Sequence, residues 1–458
     1  MTKKTSYDFA GVQRITVIGG CESGVGAAVL AKDKGFEIKV SDFGKIPEKY
    51  VAELERENIA YEQGGHTMDE ILASDLIIKS PGVPLTAPVI KAAVEKGIPV
   101  ISEIEFAGAF TDAKMVCITG SNGKTTTTLL TYHILKSAGI NAGLAGNVGN
   151  SLALQVARDP HEVYVIELSS FQLDNMYRFK ADIAVITNIT PDHLDRYDFK
   201  MENYVSAKFR ILQNQTAEDT FIYWQDDPVI AERLPEAKDP AIRLPFAEKE
   251  EKGTAAYVDG EGYLVINTPV KSLKMKAKDL SLPGVHNLKN SMCAGLIACT
   301  LGVAPEVTVK ALGDFAPVEH RLEPAGTIDG AKWINDSKAT NVDSCWYALD
   351  SMTTPVVLIL GGKDKGNDYN QILPLVKEKV HAIVAVGLHN EKIMEFFSPV
   401  VKTVSTDSLE KAVKACRELA NPGDTVLLSP CCASFDLFTS YEDRGRKFKA
   451  AVREMEKA

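Results

Sequence analysis

The run Met115-Val-Cys-Ile-Thr-Gly-Ser-Asn-Gly-Lys-Thr-Thr-Thr-Thr128 constrains the fold more than any other stretch of the chain. A short apolar segment leads into Gly120. Beyond Gly123-Lys124-Thr125, the residues Leu129, Leu130, Ile134 and Leu135 give a helix one buried face. Buried strand, glycine loop and helix in that order read as half of a βαβ unit in a parallel sheet. Glycine lets the backbone approach a ligand closely, so successive N–H groups can point at phosphate oxygens, and the helix N-terminus adds partial positive charge. Gly120, Ser121, Asn122, Gly123 and Thr126 are therefore candidate phosphate contacts. Lys124 would neutralise the β- and γ-phosphates and the Thr125 hydroxyl would hold magnesium. The loop departs from the full phosphate-loop pattern, because Ile118 stands where its first glycine belongs.

Around this unit the same alternation continues. Strands are expected at Arg14–Ile18, Phe36–Val40, Leu76–Lys79 and Pro99–Ile101, then at Lys114–Thr119, Val163–Leu168, Asp182–Thr187 and Thr220–Tyr223. Tyr257–Val265 reads as a β-hairpin with an Asp-Gly turn. A third block offers Lys332–Asn335, Val356–Leu360, Ala382–Val386, Val400–Val404 and Thr425–Leu428. At about 150 residues per domain, 458 residues suggest three α/β domains, with boundaries expected at 1–105, 106–316 and 317–458. The net charge of −10 argues against a nucleic-acid binder, and no apolar run of about 18 residues offers a membrane span. Eight cysteines without a CxxC pair, and a start without an apolar leader, point to a reduced cytoplasmic protein. A monomer acting on small molecules is expected.

Two further residues fall where ligands gather in open α/β sheets, beyond the carboxyl ends of strands. Glu167 ends the strand Val163–Leu168, and His193 follows the next strand in Asn188-Ile-Thr-Pro-Asp-His193. Each alone reads equally well as a cap or packing residue, but together, beside a phosphate loop, they make a candidate magnesium pair. Lys208, in Tyr204-Val-Ser-Ala-Lys208, reads by composition as an ordinary helix lysine.

Thr119-Gly-Ser-Asn-Gly-Lys-Thr125 resembles the ATP loop of the Mur ligases. Glu167-Leu-Ser-Ser-Phe-Gln-Leu173, Asp192-His-Leu-Asp-Arg196, His320-Arg321 and Asn335-Asp-Ser-Lys-Ala-Thr-Asn341 resemble the branch that adds D-glutamate. The likeness runs through essentially the whole chain. It implies a Rossmann-like UDP-binding domain, a central ATPase domain with a mostly parallel sheet and a small hairpin region, and a Rossmann-like amino-acid-binding domain. The implied reaction joins D-glutamate to UDP-N-acetylmuramoyl-L-alanine, with ATP and two Mg²⁺ ions, through an acyl phosphate.

The resemblance also assigns residues. Lys124, His193 and Lys208 would be catalytic, with Lys208 carried as a carbamate, and Thr125, Glu167, His193 and Lys208 would hold metal. Asn287 and Asn290 would face adenine, with Arg321 and Asp336 also on the nucleotide. Glu22, Ser23, Asp42, Ser80, Asn147 and His193 would meet the UDP substrate. Lys338, Thr340, Lys365, Ser434 and Tyr441 would hold glutamate. The chain departs from the family after Asp42, where Phe43-Gly44 replace the usual basic residue and Lys45 is the nearest cation. Three rival readings are weaker. A nicotinamide dehydrogenase would want glycine where Cys21 stands. A diamino-acid-adding ligase would show Asp-Asn-Pro-Arg, which is absent. A non-catalytic UDP-sugar binder would not need the Lys124, Glu167 and His193 set.

Overall fold

The computed structural model describes residues 8–237, 239–316, 319–364 and 366–456. Lys365 lies outside the described residues.

The first sheet holds β1 (Arg14–Ile18), β2 (Glu37–Asp42), β3 (Ala60–Gln63), β4 (Leu76–Lys79) and β5 (Val100–Ser102). All are parallel, in the order β3-β2-β1-β4-β5. The second holds β6 (Lys114–Thr119), β7 (Ala142–Gly146), β8 (Val163–Glu167), β9 (Ile183–Ile186) and β10 (Thr220–Trp224). It continues through β11 (Ile242–Lys249), β12 (Ala256–Val258), β13 (Tyr263–Asn267) and β14 (Ser272–Lys276). Its order is β14-β13-β12-β11-β10-β9-β6-β8-β7, parallel from β7 to β12 and antiparallel beyond. The third holds β15 (Glu323–Ile328), β16 (Ala331–Asn335), β17 (Val356–Gly361), β18 (Val380–Val386), β19 (Lys402–Thr406) and β20 (Thr425–Cys431). Its order is β15-β16-β20-β17-β18-β19, with only β15 antiparallel.

The strands β6, β8, β9 and β17, buried on both faces, are largely apolar runs, as parallel strands covered by helices must be. The hairpin β12–β13 forms and turns at Asp259-Gly260 as expected, in a loop that runs to Gly262, the left-handed residue (φ 81°). Asp259 explains the longer loop: its carboxylate accepts from the N–H groups of Glu261 and Tyr263, both 3.0 Å away.

Three sheets make only two compact units. One is Met1–Leu280 with Lys289–Asp314; the other is Ser281–Leu288 with Phe315–Ala458. The first two sheets share one because a single apolar core runs from Ile15 and Val17 to Phe221 and Tyr223. Phe9, Phe36, Phe106 and Phe110 cluster along it, mostly edge to face. Two buried carboxylates add polar ties. Glu103 accepts from Ser151 Oγ (2.8 Å) and Ala153 N (2.6 Å), and Glu105 accepts from the N–H groups of Tyr177, Arg178 and Phe179.

Candidate active site

In the central sheet, β6 lies between β8 and β9, so the loops after these three strands open side by side. After β6, Gly120 (φ 144°) and Gly123 (φ 80°) take conformations that favour glycine, and a Cβ on either would collide with a neighbour. At Gly120 it would lie 1.9 Å from Thr187 Oγ1, and at Gly123 2.3 Å from Asn290 Oδ1. Gly123 caps the helix Lys124–Ser137, whose Thr125 and Thr126 are buried. The loop is locked to the segment after β9. Ser121 Oγ donates to Thr190 O (2.7 Å) and accepts from Thr190 N (2.9 Å), while Asn122 N donates to Asn188 Oδ1 (2.9 Å). The result is a glycine cradle fixed at the N-terminus of that helix.

Lys124 and Lys208 converge on it. Lys124 Nζ donates to Gly120 O (2.9 Å) and Ser121 O (2.8 Å), and Lys208 Nζ donates to the same Gly120 O at 2.6 Å. Lys208 is 1% exposed. Burial, reinforced by the charge of Lys124, holds its pKa well below the ordinary lysine range, against the opposite pull of Asp192 and Glu167. Glu167 ends β8 in the core and accepts from Asn147 Nδ2 (2.9 Å), so a residue expected at the substrate orients the carboxylate. His193 adopts φ 52° and sets its ring edge-on to Phe171, 5.3 Å between centroids. Arg196 covers another part of the Phe171 ring, 4.3 Å from its centroid. The oxygen donors Thr125 and Glu167 suit a hard cation, and the glycine cradle suits phosphate. The residues present thus fit magnesium and ATP.

At the first sheet, Asp42 accepts from Gly20 N (2.7 Å) and Gly44 N (2.8 Å). Glu22 accepts from Tyr50 OH (2.9 Å) and Ser151 N (3.3 Å), and it opens the helix Glu22–Asp33, next to Ser23. Ser80 Oγ donates to Gly19 O (3.2 Å), closing the turn after β1 against the loop after β4. Asn290 accepts from Thr127 Oγ1 (3.2 Å), and Asn287 Nδ2 donates to Pro283 O (2.8 Å).

In the second unit, Asp336 follows β16 and accepts from Ser429 Oγ (2.8 Å); burial pushes its pKa up to about 7, opposed by that bond and by Arg321. Among the described residues, Arg321 Nε is buried without a hydrogen-bond partner, a donor open to a ligand. Lys338 Nζ lies 5.1 Å from the centroid of the Tyr441 ring, Thr340 N donates to Lys338 O, and Ser434 is buried in the loop after β20. Glu319, His320 and Glu323 cluster like metal ligands, but Lys449 Nζ already sits between the two carboxylates, 2.7 and 2.8 Å away.

Two buried cations escaped the sequence reading. Arg444 is 1% exposed and donates to Ser337 Oγ and to the carbonyls of Ser337, Cys432 and Gly361, tying together the loops that carry Lys338 and Ser434. Lys79, the last residue of β4, is equally hidden. Arg444 stands in a largely charged helix and Lys79 at the end of an apolar strand, and at either place a surface position is the ordinary reading of a cation.

A parallel sheet presenting a glycine–lysine–threonine loop beside a buried carboxylate and two lysines belongs to a phosphate-loop nucleotide enzyme. Comparison with known proteins narrows this. Residues 13–102 match the Mur ligase MurD-like N-terminal domain, 118–298 the Mur ligase middle domain and 320–432 the Mur ligase glutamate ligase domain. UDP-N-acetylmuramoylalanine--D-glutamate ligase of Bacteroides fragilis is 59% identical over 447 residues, 97% of this chain and 100% of that one. Its counterpart in Porphyromonas gingivalis is 54% identical over 440 residues, 96% of this chain and 98% of that one. Among solved structures, a UDP-N-acetylmuramate-alanine ligase from Thermotoga maritima shares the fold at TM-score 0.61 and 18% identity, covering 97% of this chain and 99% of that one. The chain belongs to the Mur ligase family.

Proposed function

We propose that this chain is the ATP-dependent ligase that joins D-glutamate to UDP-N-acetylmuramoyl-L-alanine in cytoplasmic peptidoglycan precursor synthesis, working as a monomer. Near-full-length relatives bearing that name support the substrate pair. The observation that carries the chemistry is the convergence of Lys124 and Lys208 on Gly120 O, in a buried site that also draws on the charge of Glu167.

Residues 1–105 take the UDP substrate through Glu22, Ser23, Asp42 and Ser80, with Asn147 and His193 reaching it from the central domain. Residues 106–316 hold ATP on Gly120–Thr126, with Asn287 and Asn290 at adenine. Residues 317–458 supply Arg321 and Asp336 to the nucleotide and Lys338, Thr340, Lys365, Ser434 and Tyr441 to glutamate. Thr125, Glu167, His193 and a carbamate on Lys208 would hold two magnesium ions, which neutralise phosphoryl charge when bound. A carbamate needs a neutral amine, and burial favours that form at Lys208. Adding CO₂ to that amine and releasing a proton turns a repelling cation into an anionic oxygen ligand.

The substrate carboxylate attacks the γ-phosphoryl group, the bond to the β-phosphate breaks, and an acyl phosphate and ADP result. Lys124 fixes the transferring group, since phosphoryl transfer is chiefly positioning and charge neutralisation. The glutamate amine then attacks the acyl carbon, and phosphate leaves from the tetrahedral intermediate. The test is phosphate release from ATP with UDP-N-acetylmuramoyl-L-alanine and a panel of amino acids. D-Glutamate should drive release, while alanine, glutamine and L-glutamate give little. Equal release with every amino acid, or with none, would overturn the reading.

A further inference from the structure

The first sheet reverses its strand order between β1 and β4, the topological switch point where open α/β sheets bind ligands. Three strand ends meet around that point. The turn after β1 brings Gly19 and Gly20, β2 ends at Asp42, and β4 ends at Lys79. Asp42 is occupied with backbone N–H groups, and no cation stands beside it in the chain. Positive charge near the switch point comes from Lys49, whose field acts on Cys21 and Glu22 in the turn after β1, and from Lys79 at the end of β4.

Lys79 is 3% exposed, and its Nζ donates to Ser80 O (3.2 Å) and Val83 O (2.8 Å). Both acceptors are carbonyls, so neither neutralises the ammonium. Burial lowers its pKa to about 8 and the charge of Arg196 pushes the same way; Asp174 pulls against both. A buried ammonium hydrogen-bonded to carbonyls, with the like charge of Arg196 outweighing the opposite charge of Asp174, is costly to the fold, and such groups collect at functional sites. The loop it grips is the one closed on Gly19 by Ser80.

We propose that Lys79 is a positioning residue for the diphosphate of the UDP-linked substrate. It holds the loop 80–83 in its binding shape and adds a positive charge where β4 ends. This rests on the substrate reading above.

The test compares wild type with Lys79→Met, which keeps length and apolar bulk but removes the charge. KM for the UDP substrate should rise about tenfold, while kcat and the KM values for ATP and glutamate stay within about twofold. UDP alone, titrated calorimetrically, should bind about tenfold more weakly to the variant. The wild-type profile supplies an independent readout that needs no variant. Lys79 loses its proton as pH rises, so kcat/KM for the UDP substrate should fall above about pH 8. That break should vanish in Lys79→Met. Arg196 and Asp174 are the charged groups facing the lysine, and Asp174→Asn should move the break to lower pH. If wild type binds UDP and Lys79→Met matches it in KM and pH profile, Lys79 has no such role. If wild type itself binds no UDP, the substrate reading falls and this inference falls with it.

Discussion

Replacing Lys124 with alanine should cut ATP turnover by about 10²–10³-fold, roughly 3–4 kcal/mol of transition-state stabilisation, in a protein that melts as wild type does. The lysine lies across the phosphate loop, with its ammonium on the carbonyls of Gly120 and Ser121 rather than in the apolar core. The loop itself is held by other bonds, from Ser121 to Thr190 and from Asn122 to Asn188, which the substitution leaves intact. Only the fixed cation beside the transferring phosphoryl group is lost. Steady-state phosphate release beside a thermal melt separates the two effects. A folded variant with near wild-type turnover would remove Lys124 from the chemistry.

Lys208→Ala should lower activity by about 100-fold, as loss of a group that holds or orients a metal commonly does, and small carboxylates should restore part of it. The amine is buried against Gly120 O and above the Tyr204 ring, 4.6 Å from its centroid. Truncation leaves space that acetate or formate can fill, returning an anionic oxygen to the place a carbamate would occupy. Lys208→Arg should be as inactive and should not respond, because the guanidinium stays cationic and fills the space. Activity measured against formate concentration checks all three proteins. Full activity in Lys208→Ala, or equal rescue of Lys208→Arg, would exclude the carbamate.

The strands that position the site were legible because they are buried on both faces and read as unbroken apolar runs: β4, β6, β8 and β17. Others were hidden for local reasons. β3 is the polar run Ala-Tyr-Glu-Gln at a sheet edge, and β7 is Ala-Gly-Leu-Ala-Gly, poor in the β-branched and aromatic residues that mark strands. β11 carries Pro245, which argues against a strand although it pairs on both sides. Three sheets stand where three domains were expected from length, but the core that the first two share joins residues as far apart as Ile15 and Tyr223, which no local pattern marks.

The candidate site divides the same way. Its phosphate loop is contiguous, so the mechanism can be read along the chain. Lys208 lies 84 positions beyond Lys124 and shares a carbonyl with it only in the folded protein. Lys79 reads as the exposed end of a strand, and Arg444 as one charge of a helix whose sequence is mostly charged. Only the hydrogen bonds to buried carbonyls separate them from ordinary surface cations.

The central claim is that ATP activates a substrate carboxylate, and the most direct measurement follows an oxygen atom. The terminal carboxylate of UDP-N-acetylmuramoyl-L-alanine is labelled with oxygen-18, and the phosphate released with ATP and D-glutamate is weighed by mass spectrometry. Attack of that carboxylate on the γ-phosphoryl group leaves one of its oxygens on phosphorus when the amine displaces phosphate. The account predicts one labelled oxygen in each phosphate and release that depends on both substrates. Unlabelled phosphate accompanying amide formation would contradict it.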